Sequence, residues 1–153
     1  MSSQPPIVGT SQSVDGADIT GVDQAGIYRA IAREFLSAAS DLANCAAGHP
    51  RAVAHLCAHA LEVALKSVLV GTLPDRVIRF EVGHDLRRAW VEARTSGRTL
   101  GQMSTTLEVL SDVHAAPYHT RYQPGAQASV WPIPADLVAE VRGALVTLGV
   151  ATP

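Results

Sequence analysis

The sequence predicts an all-α domain, an up-and-down bundle of about five helices, and three observations support this fold class. Apolar residues recur at spacings of three and four along most of the chain, as on one buried face of a helix. Gly48, Gly71, Gly97 and Gly149 stand where these periodic segments end. Within residues 72–83 a short extended piece is conceivable, but one strand cannot form a sheet. Short links between the early segments favour antiparallel neighbours.

Length and composition fit one domain with a substantial apolar core. The chain has 153 residues, of which 47% are hydrophobic, and a formal net charge of −2. Such a charge gives no global attraction to nucleic acid or to acidic membranes, so binding of either would need a local basic patch. Residues 1–22 are polar and rich in Ser, Gly and Pro, and we expect a flexible tail before a helical domain at 23–150.

The N-terminal segment lacks the basic start and apolar centre of a signal peptide. We also find no apolar run of the length that a membrane helix needs, so we expect a cytoplasmic protein. Two cysteines are too few for a disulfide framework, and both Cys45 and Cys57 are expected to be small core residues in helices.

The first two predicted helices span residues 23–47 and 50–70, the second beginning at Pro50 or Arg51. The predicted inner face of the first helix consists of Ile27, Ile31, Phe35, Ala38 and Leu42. The second helix has a broad apolar face that suits a central position in the bundle.

The remaining helices are predicted at 84–95, 100–114 and 134–148, after a connection at 72–83 whose apolar residues, Phe80 among them, could pack onto the bundle. Residues 115–132 follow neither a helical nor a strand period and contain three prolines, which indicates a long loop. Within that loop, Arg121 and Tyr122 combine a cation with an aromatic ring. This combination suits phosphate contact and base stacking on single-stranded nucleic acid, although a protein interface or a plain packed loop is also compatible with it.

A polar column runs along the second predicted helix. Arg51, His55, His59, Glu62 and Lys66 fall within about 80° of one another on a helical wheel. Glu62 precedes Lys66 by four residues, the favourable order for an ion pair. The plain interpretation is a solvated face. A second is a polar groove for phosphate or RNA, in which histidine could transfer protons near neutral pH.

A third interpretation of the column is a metal site. His55 and His59, one helical turn apart, could place two imidazoles on one ion, and Glu62 could add a carboxylate. Further ligands would come from His84, His114 or His119.

Three short segments follow one another in an order that is found in a known family. Residues 59–69, HALEVALKSVL, are similar to a helix with the pattern H-A-x-E-x-x-L-K-x-x-L, and Gly83-His84-Asp85-Leu86 to a G-H-D-L that opens the next helix. Residues 121–124, RYQP, are similar to an R-Y-x-P segment after the fourth helix. Together the segments resemble the HEPN (higher eukaryotes and prokaryotes nucleotide-binding) family over roughly residues 25–150.

The resemblance implies a helical bundle that usually dimerises. Many members are ribonucleases of toxin–antitoxin, abortive-infection or CRISPR-linked defence systems, with a catalytic Arg followed by four to six residues and a His. Other members lack that motif and serve as binding or assembly modules, some beside nucleotidyltransferases. In this chain, only Arg79 and His84 have the catalytic spacing, and they precede the third predicted helix instead of lying in a late helix. After Arg121 the corresponding positions are Ala126, Gln127 and Ala128.

We therefore expect a dimeric, non-catalytic HEPN-like module associated with RNA or nucleotide biology in a prokaryotic defence, toxin–antitoxin or stress system. Its expected partners are a second copy, RNA or a nucleotide, and a nucleotidyltransferase or antitoxin protein, with no cofactor and no metal ligand. The predicted binding residues are His59, Glu62, Lys66, His84, Arg121 and Tyr122. One alternative is a metal-independent ribonuclease that uses Arg79 and His84, or a variant site around His59 and Arg121. The other is the metal-binding bundle with His55, His59 and Glu62. For His84 itself, capping of the third helix is the simpler expectation.

Overall fold

Helices are the only named elements in the part of the chain that the computed structural model describes, which is residues 23–45, 49–115 and 131–152. The α-helices are α1 (Gln24–Ala43), α2 (Pro50–Leu69), α3 (Leu86–Thr95), α4 (Thr105–His114) and α5 (Pro134–Thr147), and a π-helix (Val77–Val82) lies between α2 and α3. The prediction of an all-α helical bundle is confirmed. The predicted tail at 1–22 and most of the predicted loop at 115–132 lie outside the described residues.

Helix α2 is the centre of the bundle, because it packs against each of the other four α-helices. Its buried side chains are mostly alanine, leucine and valine, and the small alanines allow neighbouring helices to approach closely. One expectation needs correction here, since α2 is by length and composition apolar enough to cross a membrane. The helix is mostly buried inside the bundle, and a core helix that crosses no membrane meets the same length and composition criteria.

The inner face of α1 is rotated from the predicted one. Its fully buried residues are Ala32, Leu36 and Ala39, whereas Ile27 is 48% exposed and Ala38 is also exposed. The periodicity was correct, and Phe35 and Leu42 of the predicted face are partly buried against the core. The centre of the face was misplaced, because small alanines fill the close contact between α1 and α2 and leave bulkier residues at its rim.

Polar caps set several helix starts. Asp23, Asp85 and Ser104 each accept a hydrogen bond from the backbone N–H three residues later, which satisfies one donor of the first turn of α1, α3 and α4. As a result α4 begins at Thr105, five residues after its predicted start, and α3 begins at Leu86. Helix α1 ends at Ala43, four residues before its predicted end.

The connection between α2 and α3 contains the π-helix and no strand, so the extended piece considered for it is absent from these residues. Ile78 and Val82 are buried against the bundle, but Phe80 is 80% exposed and does not pack inward as expected. The π-helix is followed by Gly83, whose φ of 53° favours glycine and whose N–H donates to the carbonyl of Ile78. This turn brings the chain back toward α2 immediately before His84.

Candidate functional site

The polar column on α2 is not a solvated face. Glu62 is buried, and His55, His59 and Lys66 are half-buried, while Arg51 alone in the column is exposed. A carboxylate removed from water is stable only with compensating partners. The C-terminal part of the column, His59, Glu62 and Lys66, therefore belongs to an interior polar site.

Glu62 is the acceptor at the centre of this site. Its Oε1 accepts from Lys66 Nζ at 2.7 Å, and its Oε2 lies 2.9 Å from His84 Nδ1 and 2.9 Å from His114 Nε2. His59 Nδ1 is 3.9 Å from the same Oε2. We call these five residues, Glu62 with His59, Lys66, His84 and His114, the Glu62 cluster.

Three elements bring the cluster together. His59, Glu62 and Lys66 lie on one face of α2, one turn apart, as the helical wheel predicted. His84 lies just before Asp85, the N-cap of α3, and His114 is the last residue of α4. The expectation that His84 caps α3 is wrong, because Asp85 supplies that cap and leaves the imidazole of His84 to reach Glu62.

Aromatic contacts hold the imidazoles at fixed angles. The ring of His59 stacks on Phe35 of α1 at a centroid distance of 5.4 Å and meets the rings of His55 and His114 edge to face at 4.5 and 5.2 Å. His84 and His114 are 6.1 Å apart, again nearly perpendicular. Perpendicular contacts suit aromatic rings and restrict their rotation.

The hydrogen bonds define the protonation of the cluster. Burial by itself would raise the pKa of Glu62, but hydrogen bonds from His114, Lys66 and His84 outweigh it and hold that pKa well below its usual range. Glu62 is therefore ionised and only accepts hydrogen bonds, so His84 carries a proton on Nδ1 and His114 on Nε2. The other ring nitrogen of His114, Nδ1, is buried and has no hydrogen-bond partner among the described residues.

Access to the cluster is graded from inside to outside. The side chain of His114 is 0% exposed, Lys66 is 12%, His59 is 17% and His84 is 42% exposed. A ligand from solvent would therefore meet His84 first. A shallow cavity of about 790 Å³ lies elsewhere, lined by Trp90, Gly101 and Glu140 among others, and it contains no predicted site residue.

Arg79 and His84, the pair with ribonuclease spacing, have separate carboxylate partners. Arg79 Nε is 2.8 Å from Asp75 Oδ2 in an exposed pair, whereas His84 Nδ1 faces the buried Glu62. Arg121, Tyr122 and His119 lie outside the described residues. His114 was predicted only as one of three further metal ligands, because a single histidine at a helix end carries no sequence pattern.

The two cysteines differ in their surroundings. Cys57 is buried, as expected, and burial raises the pKa of its thiol to about 12. Cys45 is exposed just after the end of α1, so its assignment to the core was wrong.

Comparison of the chain with protein-family models, with curated proteins and with solved structures finds no match in any of the three.

Proposed function

We propose that the chain is a HEPN-like helical module that forms a homodimer, binds RNA or a nucleotide without cleaving it, and acts in a prokaryotic defence, toxin–antitoxin or stress system. The observation that carries the proposal is that two of the segments similar to the HEPN family, residues 59–69 and 83–86, meet at one site. Glu62 of the first segment contacts Lys66 of the same segment at 2.7 Å and His84 of the second at 2.9 Å, and His59 lies beside them.

The partners of Arg79 and His84 support a module without ribonuclease activity. A metal-independent ribonuclease needs its arginine and histidine to act on one phosphate. Here the guanidinium of Arg79 is paired with Asp75 on the exposed side of the π-helix, and His84 is turned toward Glu62 in the bundle. Bringing both to one phosphate would require breaking two carboxylate contacts.

The outer part of the cluster supports binding of a phosphate group. His84, His59 and Lys66 supply nitrogen donors at graded depth, although Glu62 offsets one positive charge. Affinity for phosphate would therefore come chiefly from the imidazoles, with Arg121 and Tyr122 as further expected contacts for a phosphate and a base.

The test is a titration of a fluorescent single-stranded RNA with tag-free protein, read by anisotropy. We expect binding that His84→Ala weakens at least about tenfold, the lower end of the value of one hydrogen bond to a charged group. His49→Ala is the matched control, because His49 is exposed before α2 and outside the cluster, and it should leave the affinity unchanged. Equal affinities for the wild type and His84→Ala would contradict the proposed site, and no RNA or nucleotide binding would contradict the proposed ligand.

The assembly is tested separately. Light scattering of the purified chain should give the mass of a dimer, and a nucleotidyltransferase or an antitoxin should co-purify from the native cell. A monomer that retains no partner would contradict this part of the proposal.

A further inference from the structure

The geometry points to a site for a divalent transition-metal ion, with Zn²⁺ the best fit, on His59, Glu62 and His114. One ligand atom from each of these three residues lies within 4.8 Å of the other two. The set replaces His55 of the sequence-based metal hypothesis with His114, which comes from α4 and lies 52 residues beyond Glu62. The inference does not require the proposed association with RNA, although His59 and Glu62 belong to both sites.

The spacing of the ligand atoms is close to that of a tetrahedral site. Two ligands that each lie about 2.1 Å from a tetrahedral Zn²⁺ are about 3.4 Å from one another. Glu62 Oε2 is 2.9 Å from His114 Nε2 and 3.9 Å from His59 Nδ1, so these separations lie on either side of the required value. Side-chain shifts of about half an ångström would make both distances fit, and two imidazoles with one carboxylate are a known zinc ligand set. A bound ion would displace the proton that His114 Nε2 otherwise donates to Glu62, either to the other ring nitrogen of His114 or to solvent.

The surroundings supply what a metal site needs beyond its ligands. Lys66 donates to Oε1 of Glu62 at 2.7 Å, so the other oxygen, Oε2, is the one that faces the imidazoles. Phe35 and His55 pack against the ring of His59 and restrict its rotation. His84, the most exposed member of the cluster, lies 2.9 Å from Oε2 on the solvent side, where an ion would enter and where a fourth ligand could bind.

The positive charge of Lys66 lies beside Glu62 and repels a bound cation, so a change at Lys66 distinguishes a metal site from a purely structural polar network. Removal of the ammonium in Lys66→Met should tighten Zn²⁺ binding, because the ion would then be the main compensation for the buried carboxylate. A purely structural polar network predicts no zinc binding in either protein.

The test uses tag-free protein that has been treated with chelator, dialysed and titrated with ZnCl₂ in competition with a chromophoric zinc chelator. We expect one equivalent of zinc per chain, with affinity at least about 100-fold weaker in His59→Ala, since loss of a ligand exceeds the loss of an outer partner. His49→Ala should bind as the wild type does, and Lys66→Met should bind more tightly. CoCl₂ should give the visible absorption of a tetrahedral site in the wild type.

A second readout does not depend on the folding of any variant. Excess ZnCl₂ should raise the Tm of the wild-type chain, because an ion that binds only the folded state stabilises it. The inference is overturned if the competing chelator keeps all of the zinc and the Tm is unchanged. It is also overturned if His59→Ala, folded by circular dichroism, binds zinc as the wild type does, or if His55→Ala rather than His59→Ala abolishes binding.

Discussion

Replacement of Glu62 by glutamine should be among the most destabilising conservative changes in the chain. The carboxylate is 5% exposed and receives Lys66 at 2.7 Å and two imidazoles at 2.9 Å. Glutamine keeps the shape but loses the charge, and its NH₂ group must face either Lys66 or the two ring N–H donors. Loss of one partner from a buried ionic cluster costs about 3–5 kcal/mol. For a chain of this size that corresponds to a fall in Tm of roughly 6–20 °C.

The assay is urea unfolding followed by circular dichroism, with Glu81→Gln as the matched control. Glu81 makes a surface pair with Arg88 at 3.2 Å and its side chain is 49% exposed, so its replacement should cost less than about 1 kcal/mol. The double variant Glu62→Gln/Lys66→Met should be more stable than the sum of the two single changes predicts, by about 0.5–3 kcal/mol. If Glu62→Gln were no more destabilising than Glu81→Gln, the interpretation of Glu62 as the buried centre of the cluster would be refuted.

Two further predictions concern titratable groups. The folded-state pKa of Glu62 is lowered from its ordinary value of 4.5, so the stability that its ionised form contributes is present above pH 4.5 and is lost as the pH falls below it. Urea unfolding at successive pH values should therefore show the wild type losing its stability advantage over Glu62→Gln in that acidic range. Burial raises the pKa of the Cys57 thiol to about 12, so at pH 8 a thiol reagent should modify exposed Cys45 rapidly and Cys57 only after unfolding. Rapid modification of the folded Cys45→Ser variant, in which Cys57 is the remaining cysteine, would contradict this prediction.

The helices could be predicted from the sequence because their apolar spacing is a local property. The exact face of α1 that is buried could not be predicted, since the choice of Ala32 and Ala39 over Ile27 for its centre depends on how closely α2 approaches. The start of α4 was placed too early because Leu100 is buried and fits the helical period, although Ser104 caps the helix four residues later.

The centre of the site was predicted in part. The column on α2 and the resemblance segments identified Glu62, Lys66 and His84, which the structure brings into contact. Burial of Glu62 could not be inferred from the helical wheel, because glutamate on a polar column is usually exposed. His114 could not be chosen among the other histidines, since its contact with Glu62 depends on the packing of α4 against α2.

The most direct test of the central claim, a site that binds RNA without cleaving it, is one incubation analysed on two gels. End-labelled single-stranded RNA is mixed with tag-free protein in buffer containing EDTA and is run on a native gel and on a denaturing gel. The account predicts a shifted band on the native gel and full-length RNA on the denaturing gel. RNA fragments that appear with the wild type and disappear with His84→Ala would contradict it.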